Sequence, residues 1–375
     1  MRDIVEIGLG KSARRGYHLD EIAIVPSRRT RDVNDVSTAW QLDAYPFRIP
    51  CVAHPSDATM SPSTAVTLGT LGGLGVLNVE GLWTRYENPT KILEELAELN
   101  EEAPATRRLQ EVYAEPIKPE LVAERVRAIR AGGVTVAVRV SPQHTIALAP
   151  VIIDAGVDIL VIQGTLVSAE HVSTVDEPLN LKEFIADLDL PVVVGGCTNY
   201  QTALHLMRTG AAAVIVGVGA DEWSTTDMVL GIRVPMATAI ADAAEARRDY
   251  LDETGGRYVH LIADGDIRTS GDIAKALGCG ADAVMLGEAL SVCTEAPAGG
   301  AWWHSAASHP KLPRGAFGVA EESLGDLEKL LYGPSDDPDG GLNLFGGLRR
   351  AMAKCGYRNL KEFQKVALVL DRWVR

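Results

Sequence analysis

Three stretches of this chain carry side chains that could do chemistry. They are Gly217-Val-Gly219-Ala-Asp221-Glu-Trp223-Ser224-Thr225-Thr226-Asp227, Asp264-Gly265-Asp266-Ile-Arg268 and Gly287-Glu288. Ser224, Thr225 and Thr226 offer three consecutive hydroxyls, and Asp264 offers a carboxylate followed by Gly265. Gly217 and Gly219 either turn the chain or let a ligand approach where a Cβ would clash. Asp264-Gly265 either ends a strand or presents its carboxylate to a ligand. The polar run from Asp221 to Asp227 exceeds the ~2–6 residues usual after a strand in α/β units, which marks a binding or catalytic loop. Ser224 would need a base to act as a nucleophile, and neither histidine nor lysine stands beside it in sequence. Trp223 either packs over the site or on another subunit, or stacks on a ligand.

Other chemistry is disfavoured. The five cysteines, Cys51, Cys197, Cys279, Cys293 and Cys355, form no CxxC pair, which argues against a disulfide framework and a zinc site. The cytoplasm fits that usage. The eight histidines include no HExxH, and His304 and His309, near Trp302-Trp303, read as part of a Pro-rich loop, with a ligand site as the alternative. A net charge of −14 disfavours nucleic acid or an anionic membrane as partner. The N-terminal arginines 14, 15, 28, 29 and 31 read as a solvated or subunit-facing segment, with an anion site as the alternative. The start of the chain has no signal-peptide pattern, and no apolar run reaches the ~18–20 residues of a membrane span.

The elements that position these residues follow from apolar patterning. Residues 1–48 show little periodicity and read as an irregular segment covering one end of the body. Strands are expected at 49–54, 72–78, 134–140, 158–163, 191–195, 213–217, 258–263 and 282–286, separated by helical stretches. Between residues 79 and 132 two helices are expected, 89–99 and 119–131. Eight strands alternating with helices predict a single-domain (β/α)8 barrel over residues 1–375. In that fold the site lies at the C-terminal ends of the strands, which selects His54, Gln163, the 217–227 loop, Asp264 and Gly287. The loops after strands seven and eight often hold phosphate there, so a phosphorylated small molecule is the expected ligand class.

The runs Val234-Pro-Met-Ala-Thr-Ala-Ile240, Ala263-Asp-Gly-Asp-Ile-Arg268, Ser270-Gly-Asp-Ile-Ala-Lys-Ala-Leu277 and Gly280-Ala-Asp-Ala-Val-Met-Leu-Gly287 resemble the IMP dehydrogenase/GMP reductase family. Ile49-Pro-Cys-Val, Gly72-Gly-Leu-Gly-Val and Gly346 to Gly356 extend the resemblance over almost the whole chain, which is most similar to the barrel-only IMP dehydrogenase-related proteins. The resemblance implies a purine nucleoside monophosphate as ligand, NAD(P) as cofactor in an active member, a homo-tetramer, and a true IMP dehydrogenase as a partner for an inactive one. It also implies that residues 298–341 form a shortened flap-like insertion. The stretch 78–121 is too short for the regulatory CBS-domain pair.

What the resemblance further implies is covalent chemistry by a cysteine thiolate on the loop after strand six. This sequence places Ser224 there, before Thr225 and Thr226, with two extra residues in the loop. Asp266 and Glu288 stand where the family has glycine and serine at the nucleotide phosphate, and Gln163 stands for an aspartate near the nicotinamide ribose. Asp264, Gly265, Gly287, Thr225 and Thr226 keep the family pattern, Asp264 as the ligand of ribose hydroxyls. The resemblance therefore implies a catalytically degenerate, regulatory relative; the alternative is an active NAD(P)-dependent oxidoreductase on a purine 5′-monophosphate.

Overall fold

The computed structural model describes residues 4–371, apart from 100, 175–177, 219–220, 222 and 321. Eight parallel strands form the body: β1 (Cys51–Ala53), β2 (Val76–Asn78), β3 (Ala137–Val140), β4 (Ile159–Gln163), β5 (Val192–Cys197), β6 (Ala213–Val216), β7 (His260–Asp264) and β8 (Ala283–Leu286). From β2 to β8 each pairs with its sequence neighbour, and β8 pairs back onto β1. One bridge, Val52 to Leu74, closes the β1–β2 seam. The result is a TIM barrel.

The strands are continuous apolar runs because both faces are covered, as parallel sheets require. Helices α1 (Pro62–Thr70), α2 (Pro119–Ala131), α3 (Thr145–Asp154), α4 (Leu181–Ala186), α5 (Tyr200–Arg208), α6 (Met236–Thr254), α7 (Ser270–Gly278) and α8 (Leu344–Lys354) follow the strands in order. Their termini obey local rules. Ser61, Asn180, Asn199 and Thr269 cap four of them by accepting an N–H three residues on, and Gly255 ends α6 in the left-handed region.

Two expectations need correction. Residues 1–48 are not irregular, since they hold a hairpin (Ile4–Gly8 with Lys11–Arg14), a strand Ile22–Val25 and a second hairpin (Trp40–Leu42 with Tyr45–Phe47). Ile22–Val25 pairs with Ala367–Leu370 from the far end of the chain, a partner that local periodicity cannot reveal. Between the two helices expected in 79–132 there is a third, Glu102–Val112. It buries only Ala105, Leu109 and Val112 and carries Pro104 in its first turn, so its apolar signal is thin.

That helix has a structural role. Together with Thr90–Ala97 it underlies the insertion after β8, which contains β9 (Ala301–Trp303) and β10 (Phe317–Val319), antiparallel to each other. Leu93, Leu96, Leu109, Trp302, Trp303 and Phe317 make a second apolar cluster, separate from the barrel core. The cluster holds the insertion over the C-terminal end of the barrel.

Candidate functional site

The β6 strand delivers the 217–227 loop, whose exit is set by Gly217. A Cβ there would run into the carbonyl oxygen of Asp264, so the glycine serves close approach of β6 and β7. Gly219 lies outside the described residues. Beyond it, Asp221 Oδ1 meets His304 Nε2 at 3.0 Å. Burial alone would raise the Asp221 carboxyl, but the charge and hydrogen bond of His304 outweigh it and hold Asp221 below its ordinary value. His304 moves the opposite way: burial would lower it, and Asp221 carries it above the usual imidazole range.

The hydroxyls of the loop are already engaged. Ser224 Oγ donates to Thr226 Oγ1 at 3.0 Å, and Thr225 Oγ1 accepts from the Gly315 amide at 2.8 Å. The Ala316 amide donates to the Trp223 carbonyl at 2.7 Å, and Arg314 Nη2 donates to Thr165 Oγ1 at 3.2 Å. The indole of Trp223 lies against Gly318. Of the readings open for Trp223, packing under the insertion is the one observed. Hydrogen bonds from Gly315 and Ala316, together with this ring, stitch the insertion to the loop.

Below this strap lie the strand ends. Asp264 Oδ2 accepts from Gln163 Nε2 at 3.1 Å, and burial, reinforced by the charge of Asp221, pushes the Asp264 carboxyl up to about 7. Arg139 is buried and donates twice to the Gln163 carbonyl, at 2.6 and 3.1 Å. His54, Trp302 and His304 form a triangle of edge-on rings with centroids 5.5–5.7 Å apart. Burial pushes the His54 imidazole down to about 3, so that ring is neutral. Gly265 follows Asp264 with φ +136°, and Asp266 sits in the left-handed region at φ 54°.

Two adjoining pockets result. One, with about 650 Å³ of open space, is walled by His54, Arg139, Gln163, Asp221, Ser224, Thr226, Asp264, His304 and Arg314. The other, about 390 Å³, is walled by Trp223, Asp264, Gly265, Asp266, Arg268, Gly287, Glu288 and Trp302, and shares His54, Asp221 and His304 with the first. The sequence-selected Ser224, Thr226, Asp264, Gly265 and Gly287 therefore converge on one mouth. Thr225 is turned to the strap.

From sequence His304 reads as part of a loop, with a ligand site as the less favoured reading, and the structure places it in the wall of both pockets. The available signal is its spacing two residues from Trp302 along an extended segment, which puts both rings on one face. Among the described residues, no group of three potential metal ligands converges.

Each of the five cysteines is free, and none is among the described residues lining either pocket. Cys197, at the end of β5, is buried and its thiol is pushed up to about 12.

Comparison with known proteins agrees with this architecture. Residues 16–323 match the IMP dehydrogenase / GMP reductase domain. An uncharacterized oxidoreductase of Mycobacterium tuberculosis is 61% identical over 373 residues, covering 98% of this chain and 100% of the relative. The inosine-5′-monophosphate dehydrogenase of Methanocaldococcus jannaschii is 31% identical over 258 residues, 60% of this chain and 48% of that protein. The crystal structure of an IMP dehydrogenase/GMP reductase-like protein from Corynebacterium glutamicum superposes with a TM-score of 0.94 at 53% identity, covering 98% of both chains. This chain belongs to the IMP dehydrogenase/GMP reductase family.

Proposed function

We propose that this chain is a catalytically degenerate member of its family, a protein of purine metabolism that works by binding a purine compound at the barrel mouth and through contact with a true IMP dehydrogenase. The observation that carries this reading is the make-up of the 217–227 loop. It gives the pocket wall Asp221, already paired with His304, and Ser224, whose hydroxyl is given to Thr226. It contains no thiol.

Covalent attack on a purine ring carbon at neutral pH needs a thiolate, or a hydroxyl with a strong base beside it. The family's use of a nicotinamide is to exchange hydride with such an adduct. The residues in this mouth do not form one, so they do not fit that use of NAD or NADPH. What the chain's own residues do is hold a ligand: Asp264, Gly265, Ser224, Thr226 and Gly287 line the binding space, and Arg139 fixes the Gln163 backbone beneath it.

The proposed setting is cytoplasmic, and the proposed assembly is a homo-tetramer. A homo-oligomer accounts for the exposed Ile4, Ile7 and Leu9 of the first hairpin and for Met228 beside the loop, apolar surface that isolated subunits would leave in water.

One feature favours the second reading, an active NAD(P)-dependent oxidoreductase on a purine 5′-monophosphate. The Asp221–His304 pair and an Asp264 that titrates near 7 make an acid–base set, and the mycobacterial relative is named an oxidoreductase. Steady-state assays with IMP plus NAD, and with GMP plus NADPH, separate the two. Absence of turnover with a purine-dependent rise in melting temperature is expected. Sustained turnover abolished by Ser224→Ala contradicts the degenerate reading, and absence of any thermal shift with purines contradicts ligand binding.

A further inference from the structure

The same mouth also bears on the chemical form of its ligand, an inference that rests on the purine-binding reading. In barrels of this kind a phosphate is held by backbone N–H groups in the loops after strands seven and eight. Here the amides around the start of α7 serve the protein itself. Asp272 Oδ2 accepts from the amides of Thr269 at 3.0 Å and Arg268 at 3.2 Å, the Asp272 amide donates to Thr269 Oγ1 at 3.2 Å, and the Ser270 amide donates to the Gly340 carbonyl at 3.0 Å. After β8, the ring of Trp302 rests on Gly287, where a Cβ would already collide with it. The start of α7 is thus satisfied internally, and the ring of Trp302 covers Gly287.

Charge acts in the same sense. The wall of the smaller pocket contains Asp221, Asp264, Asp266 and Glu288 against Arg268 and His304. Both cations are already committed, Arg268 at 3.7 Å from Glu288 and His304 at 3.0 Å from Asp221, and His18 stands 3.5 Å from Asp266. A phosphate dianion entering here meets a negative excess in a partly desolvated site.

Uncharged polar groups meet the opposite situation. Gln163 and His54 are each only 8% exposed, and Trp302 only 3%. Yet Gln163 Oε1, His54 Nδ1 and Trp302 Nε1 have no hydrogen-bond partner. Buried polar atoms of this kind are normally satisfied, so three in the walls of the two adjoining pockets point to a ligand that satisfies them. Hydroxyls and ring nitrogens do so without bringing charge.

We propose that the barrel mouth binds a purine nucleoside, its sugar hydroxyls toward Asp264 and Gln163, and discriminates against the nucleoside 5′-monophosphate. Calorimetric titration of the full chain with inosine, guanosine, IMP, GMP and inorganic phosphate tests this. The expected result is a nucleoside bound at least about tenfold more tightly than its monophosphate, and no heat from phosphate alone. The double variant Asp266→Asn/Glu288→Gln is expected to bind the monophosphate about tenfold better than the native chain, with nucleoside affinity unchanged. That unchanged affinity also shows that the variant is folded, and either single variant moves the same way by less. A native chain that binds the monophosphate as tightly as the nucleoside overturns the discrimination while leaving the purine reading intact. A native chain that binds neither overturns the purine reading itself.

Discussion

The two ends of this barrel handle buried charge in opposite ways. At the N-terminal end, Asp282 is 4% exposed and accepts from Arg247, Tyr258 and Lys361, each at 2.7 Å, from the Leu261 amide at 2.9 Å and from Gln364 at 3.0 Å. Burial would raise its carboxyl, but Arg247 and Lys361 outweigh it and hold it down to about 2. At the mouth, Asp264 is also desolvated, has Gln163 as its side-chain donor and an acid, Asp221, as its charged neighbour, and rises to about 7. Of ten buried side-chain atoms without partners among the described residues, five belong to the mouth and its strap: those of His54, Gln163, Trp223, Trp302 and Arg314. The Asp282 network leaves one such atom, His260 Nδ1, and the mouth is left with more needs that a ligand can meet. Perturbed titration in a cleft is the physical mark of a functional site.

The largest test of this contrast is Asp282→Ala. It leaves Arg247 and Lys361 without their carboxylate and should cost about 3–5 kcal/mol, read by urea unfolding. A cost below about 1 kcal/mol would mean that the floor network is not the structural end described here. Gly217→Ala is next. The added Cβ meets the Asp264 carbonyl at a φ of +149°, and a loss of about 2–3 kcal/mol is expected, again by urea unfolding.

Asp264→Asn should act in the reverse sense, and its effect depends on pH. An Asp that titrates near 7 in the folded chain and near ~3.9 unfolded binds more protons when folded, so it lowers stability as pH rises from about 4 to 7. Asn removes that penalty. The variant should match the native chain at pH 4 and exceed it by about 4 kcal/mol at pH 8. Asp282 has the opposite linkage: its contribution is present above about pH 4 and is lost as pH falls toward 2. A native-minus-variant stability difference that does not fall from pH 5 to pH 8 would contradict this description of Asp264.

The barrel was legible because most strands are apolar runs and the helices between them have spaced apolar faces. Met236–Thr254 and Pro119–Ala131 have the bounds expected from sequence. What was hidden depends on distant partners. Ile22–Val25 becomes a strand only against Ala367–Leu370, and Glu102–Val112 becomes a helix with a purpose only under the Trp302–Trp303 strap. At the mouth, Ser224, Thr226, Asp264, Gly265 and Gly287 were readable from their places after strands. His304 was readable only as the less favoured of two alternatives, because its partner Asp221 lies 83 positions away on a different loop. The two tryptophans beside it were the clue.

Whether this mouth binds a purine without thiolate chemistry is decided by a single-turnover measurement. Protein at a concentration equal to NAD is mixed with excess IMP in a stopped-flow instrument, and absorbance of the reduced nicotinamide is followed from the first milliseconds. Hydride transfer would register there even if a later step were blocked. A mouth that only binds gives no burst. A burst approaching one equivalent of reduced nicotinamide per chain would contradict the degenerate reading.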